Sequence, residues 1–302
     1  MGRPPLPARP VGAALRLLLL GPLAVAAGAV FLLLTFGAEA TGNLFAWRMS
    51  PVTATLLGAG YGGSGVMLAL ALRARRWEQV RVTCAASSLF MLLMLGASLL
   101  GHRTLHLTHG TPLALAAAWI WLGVHLAALP LGLIALGAQA RVGGAKPPRA
   151  PRLPWWVAAP IVSSGLTVTA TGVLLYALPD QAARHWPWTV RPLDVRALGA
   201  WCVAFGVALL LGWREAELRR VRHGMAALVV SGLLGLTGLL RYGGRIDWEG
   251  PGPWLVVLVL AAFTGLGLSG AGASVVFDQP APPAGPEVQL QEGMGVCPAR
   301  PA

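Results

Sequence analysis

Long apolar runs recur along the whole chain, each bounded by charged or turn-forming positions. Eight are about 17 to 25 residues long, enough for a helix to cross a hydrocarbon core of about 30 Å. They lie at 17–36, 52–72, 82–100, 112–138, 155–178, 197–213, 225–240 and 253–274, the fourth being long and the seventh short. The pattern predicts an all-α membrane protein with eight transmembrane helices. The first run follows Arg3, Arg9 and Arg16 and precedes Ala38-Glu39-Ala40, so it also resembles a secretory signal. It exceeds the usual apolar core of about 7 to 15 residues, and is read as a retained helix.

Composition supports this. Of 302 residues, 56% are hydrophobic and 11% charged, against about 25% charged in soluble domains; the mean hydropathy is +0.66. A soluble fold is excluded. The net charge of +12 would suit nucleic acid on a soluble surface, but here the arginines cluster between apolar runs and Lys146 is the single lysine. Basic residues so placed fix orientation, and no nucleic-acid partner is expected. With the N-terminus cytoplasmic, sixteen basic residues fall inside and seven outside, which places both termini in the cytoplasm. Trp47, Trp155, Trp188, Trp213 and Trp254, among others, fall near span ends, as an interfacial aromatic belt would. Cys84, Cys202 and Cys297 show no C-x-x-C spacing, so neither a disulfide framework nor a zinc finger is expected.

Shifting the chain by 141 positions aligns Trp47 with Trp188, Pro51 with Pro192, Leu57-Gly58-Ala59 with Leu198-Gly199-Ala200, Arg73 with Arg214, Pro112 with Pro253 and Glu39 with Asp180. The expectation is two parallel four-helix repeats, since an even number of spans returns the second copy to the same orientation. Residues 1–140 form the first repeat, 141–154 a Gly/Pro/basic cytoplasmic linker, 155–274 the second repeat and 275–302 a disordered cytoplasmic tail.

Phe45-Ala46-Trp47, Pro51, Thr53-Ala54, Leu57-Gly58-Ala59 and Tyr61, then an Arg-rich turn and Trp119 and Trp121 before a proline, resemble a group of membrane proteins common in high-GC Gram-positive bacteria. The resemblance covers mainly residues 45–140. It implies a bacterial inner-membrane protein and carries over no activity and no functional residue.

Candidate chemistry is sparse. His102, His106 and His109 would share a face if the third span continued outward as a helix. Three imidazoles with an outer carboxylate would suit Zn or Cu, although no cofactor is expected from so loose a motif. His125 lies within the fourth span, where an ionisable side chain is a candidate for proton relay or substrate contact, or else for bonding between helices; the aligned residue is Leu266. Glu39 and Asp180 occupy matched outer positions and are candidate catalytic carboxylates. Asp194, Asp247 and Glu249 read as a solvated outer rim. Ser163, Thr167 and Thr171 form an intramembrane polar stripe that could line a solute path. Arg73, Arg75, Arg76, Arg214, Arg219 and Arg220 are candidates for lipid headgroups. Two G-x-G-x-x-G matches, Gly60-Gly62-Gly65 and Gly265-Gly267-Gly270, sit inside spans and lack the βαβ context of a dinucleotide site.

The leading expectation is a non-enzymatic protein that binds or translocates a lipid or small apolar solute between its halves. The alternatives are an outer-face enzyme using Glu39, Asp180 and the histidines, and an accessory subunit with a membrane-protein partner. Acidic groups at span ends argue against proton- or sodium-driven transport. A reporter fused after Ala302 should read cytoplasmic; a periplasmic signal would contradict eight crossings with an inward N-terminus.

Overall fold

A computed structural model of the chain describes residues 8–145, 155–215 and 218–277. Eight long helices carry it: α1 Ala13–Phe36, α2 Pro51–Arg73, α3 Arg81–Leu100, α4 Pro112–Arg141, α5 Trp155–Ala177, α6 Pro192–Glu215, α7 Leu218–Arg241 and α8 Pro251–Phe277. Each holds a stretch long and apolar enough to cross a membrane. There is no strand among the described residues. The protein is an all-α, multi-pass membrane protein.

Local sequence sets the helix starts. Proline occupies the first turn of α2 and α4, and the residue before it caps the helix: Ser50 Oγ accepts from Thr53 N at 3.3 Å, and Thr111 Oγ1 from Ala114 N at 3.2 Å. In α6 the cap is reversed, with the Asp194 carboxylate accepting from Arg191 N at 2.9 Å. For that reason α6 begins at Pro192, five residues before the hydropathy estimate. Helix α7 likewise extends back to Leu218 through the arginines, and α8 runs to Phe277, into the segment expected to be disordered. Residues 146–154 of the anticipated linker and 278–302 of the tail lie outside the described residues.

The helices pack as two rows of four, α1-α2-α7-α8 and α5-α6-α3-α4. Each row joins two helices of the first half to two of the second: α2 packs on α7 and α3 on α6, whereas α2 and α3 barely touch. Hydrogen bonds recur 141 positions apart. His106 N donates to Ala46 O and Asp247 N to Pro187 O, both at 2.8 Å. Trp47 Nε1 donates to Asp194 Oδ1 at 2.8 Å, and Trp188 Nε1 donates to Thr53 Oγ1 at 3.0 Å. Thr53 and Asp194 are themselves 141 positions apart, so each half inserts a tryptophan into the third helical position of the other.

This revises two expectations. Asp194 is fully buried rather than part of a solvated rim, because its two carboxylate oxygens meet the Trp47 indole and the Arg191 amide. Trp47 and Trp188 are buried between the halves and not interfacial, whereas Trp155, Trp213 and Trp254 do project outward.

The opposite, arginine-rich end is closed by the segment before α1. Gln139 of α4, also buried, accepts from Gly12 N at 2.8 Å and donates to Pro10 O at 2.9 Å. Arg16, in a π-helical turn at the start of α1, donates to the Leu72 and Ala74 carbonyls and so satisfies the free end of α2.

Trp47→Phe removes one of the two donors to a buried carboxylate. It should lower stability in detergent by about 1–3 kcal/mol, and a double cycle with Asp194→Thr should show coupling; additive losses would contradict a direct bond that matters.

Candidate functional site

A cavity of about 390 Å³ lies between the two rows, lined by residues of α1, α2, α3, α4, α6 and α7. Small-molecule sites typically span about 300–1,000 Å³. Its walls are largely Leu, Ala, Val, Met and Phe, with Ser64, Thr83 and Ser87 adding hydroxyls; no Asp, Glu, Lys or Arg lines it among the described residues. Residues 13–20 of α1 pack on α4 at the arginine-rich end, but 21–36 have little contact with it. The lining residues Ala29 of α1 and Leu113 and Ile120 of α4 also form part of the outer apolar surface, so the mouth opens sideways between these helices.

Leu209, Met225 and Leu228 form part of the cavity wall and pack behind it with Ile161, Val168 and Phe263. Where Phe205, Met225 and Leu228 add bulk, the positions 141 earlier hold Ser64, Cys84 and Ser87. Helix spacing differs too. Helix α8 lies tight on α7, such that a Cβ at Gly232 would meet Leu260 O at 2.6 Å and one at Gly267 would meet Met225 O at 2.6 Å. The equivalent positions hold Met91 and Leu126, and α4 stands off from α3. Swapping glycine for larger side chains holds one pair of helices apart.

Three buried polar atoms of wall residues have no hydrogen-bond partner: Tyr61 Oη, His125 Nε2 and Trp201 Nε1. The residues are 7%, 3% and 7% exposed. An unpaired buried polar group is costly, and native structures hold few. His125 is oriented by its own helix: Nδ1 donates to the Trp121 carbonyl at 2.8 Å, which leaves the lone pair of a neutral ring on Nε2. The Trp121 ring lies tilted at 39° to that of His125, with centroids 4.4 Å apart, and donates its own indole N–H to Ser98 Oγ at 3.0 Å. Tyr61 stands edge-on to Trp201 at 5.0 Å and to Trp121 at 6.2 Å. The rings form a continuous run from Trp201 through Tyr61 and Trp121 to His125.

Of the candidate site residues named from the sequence, His125 alone lines this cavity among the described residues, beside Phe45, Tyr61 and Trp121 of the aromatic motif. Ser163, Thr167 and Thr171 face outward, away from it, because the inner face of α5 is formed by Gly165, Thr169 and Gly172 against α6. His102, His106 and His109 do not share a helical face: α3 ends at Leu100, His102 Nδ1 donates to Leu99 O, and His106 Nδ1 donates to Phe45 O. Among the described residues, no group of three or more His, Cys, Asp or Glu could hold a metal ion. Glu39 is exposed and meets Arg245 at 3.1 Å, and Asp180 is exposed on the short helix Pro179–Arg184. Arg73, Arg75, Arg76 and Arg214 are exposed at the arginine-rich end; the side chains of Arg219 and Arg220 lie outside the described residues. Gly60 and Gly62, of the first glycine match, pack against Trp201, Phe31 and Leu234 as helix contacts.

Compared with known proteins, the chain matches no family model, no curated protein and no solved structure.

Tyr61→Phe deletes a buried hydroxyl that has no hydrogen-bond partner among the described residues. Thermal stability in detergent should stay level or rise; a loss beyond about 1 kcal/mol would mean the hydroxyl is bonded in the folded protein.

Proposed function

We propose that this integral membrane protein binds a lipid or small apolar solute that enters its cavity sideways from the bilayer between α1 and α4. The observation that carries the reading is the apolar, uncharged cavity with its lateral mouth. Translocation would need the ligand to leave towards a different side, and the sealed arginine-rich end favours binding and release through the same mouth. On this reading the chain is two parallel copies of a four-helix unit in a bacterial inner membrane, with the arginine-rich end in the cytoplasm. The outer-face enzyme has less support, since Glu39 is engaged with Arg245, and the adjacent His106 and His109 rings, 5.5 Å apart, belong to no group of three or more His, Cys, Asp or Glu among the described residues.

An alkyl-chain diazirine probe in nanodiscs tests this. Cavity-facing Ala117 and Trp121 should be labelled more than outward Leu133, and filling the space with Ala86→Phe should sharply reduce labelling at Trp121. Labelling spread evenly over outward faces and indifferent to Ala86→Phe would overturn the reading.

A further inference from the structure

The shape of the cavity selects the kind of ligand, an inference that rests on the binding function proposed above. We infer that the occupant is a long-chain lipid, which inserts one linear hydrocarbon chain tail-first from the leaflet away from the arginine-rich end and leaves its head at the mouth.

The lining residues fall in stripes along the helices. On α3 they are Val82, Thr83, Ala86, Ser87, Phe90 and Met91, and on α6 they recur at the same helical spacing from Trp201 to Gly212. On α4 they run from Leu113 to His125. A compact pocket takes about one turn from each helix; stripes of this length describe a slot parallel to the helix axes. The α3 stripe begins at the second residue of its helix, at the arginine-rich end, and extends about 14 Å. The α4 stripe begins at the second residue of its helix, at the opposite end, and extends about 18 Å. Between them the two cover most of a hydrocarbon core of about 30 Å. A small compact solute fills a fraction of such a slot, whereas an extended chain follows all of it and buries each methylene it adds.

The direction of entry follows from where the slot is open. Among the described residues, none of α4 beyond His125 lines it. There α1 closes on α4, so that a Cβ at Gly132 would meet Leu19 Cδ1 at 3.5 Å. The mouth beside Leu113 and Ile120 therefore belongs to the leaflet away from the arginines. At the far end of the slot the wall residues Val82 and Gly224 directly follow Arg81 and His223 in sequence. Arg81 pairs with Glu215 of α6, and Glu78 and His223 are buried. These polar groups stop a hydrocarbon chain. A charged head would have to pass a wall that holds no Lys, Arg, Asp or Glu among the described residues to reach them, at the cost of its hydration, whereas a methyl terminus passes without that cost. Gly224 keeps the last stretch of the slot open, since a Cβ there would meet nothing within 4 Å. The side chain at this position thus sets how long a chain fits.

The test uses the full-length protein in nanodiscs and two photoreactive palmitoyl lysophosphatidylcholines, one with its diazirine at the chain terminus and one with it beside the carbonyl. The terminal diazirine should label Thr83 and Met225, which are buried away from bulk lipid, and the carbonyl-proximal one should label Leu113 and Ala117 instead. By native mass spectrometry, Gly224→Leu should weaken palmitoyl lysophosphatidylcholine about fivefold, the loss expected from one or two methylenes left unburied, and leave the decanoyl homologue unchanged. Val82→Phe shortens the same end and repeats the measurement should Gly224→Leu fold poorly. Labelling of the same cavity residues by both probes, or an unchanged chain-length preference in both variants, would overturn the inference in favour of a compact solute. The two labelling patterns exchanged would overturn it by reversing the direction of entry. No labelling of any cavity residue by either probe would remove the binding function itself.

Discussion

The reciprocal clasp at the end opposite the arginines is the interaction on which the rest of the arrangement depends. Asp194 is a carboxylate without solvent contact, and burial of an ionised group is tolerated only with hydrogen bonds to it. Trp47, from the other half of the chain, supplies one of these, while Trp188 returns the contact at Thr53. Neither tryptophan finds its partner unless α2 and α6 start side by side. That placement directs α2 onto α7 and α3 onto α6, so each row becomes a mixture of both halves. The halves consequently cannot separate without breaking both rows.

Two rows clasped at one end must be filled between them or leave space. Phe205, Met225 and Leu228 form part of the cavity wall with Phe263 packed behind them, and glycines draw α8 close to α7. On the other side small hydroxylated residues face the gap, and methionines and leucines occupy the positions of those glycines, so α4 remains apart from α3. In a bilayer an apolar gap with a lateral mouth is open to apolar molecules, since lipid chains are no less apolar than the wall. Tyr61 Oη, His125 Nε2 and Trp201 Nε1 are buried in the residues of this wall without a hydrogen-bond partner.

The eight crossings were legible because length and apolarity alone determine them. The helix ends were less so: a hydropathy window treats Arg191, Asp194 and Arg196 as loop, although Pro192 and the Asp194 cap start α6 there. Asp194 itself was misread for the same reason, since a charge near a span end is usually solvated and its partner is 147 positions away. Of the site, His125 was visible as an ionisable residue inside a span. Tyr61 and Trp201 were not, because aromatic residues in apolar helices are ordinarily packing. The signal that marks them is the mismatch across the 141-residue offset, where Tyr61 faces Cys202, Trp201 faces Gly60 and Ser64 faces Phe205. The hydroxyl stripe of α5 misled because threonine and serine suit both faces of a helix, and glycine spacing at Gly165 and Gly172 decided which one met α6.

The most direct measurement is an electron cryo-microscopy map of the protein in a lipid nanodisc. The account predicts elongated density between α1 and α4, extending from the mouth to Tyr61 and His125, and none between α5 and α8. A map in which α4 closes against α1 and α3, or in which both gaps hold equivalent lipid, would contradict it.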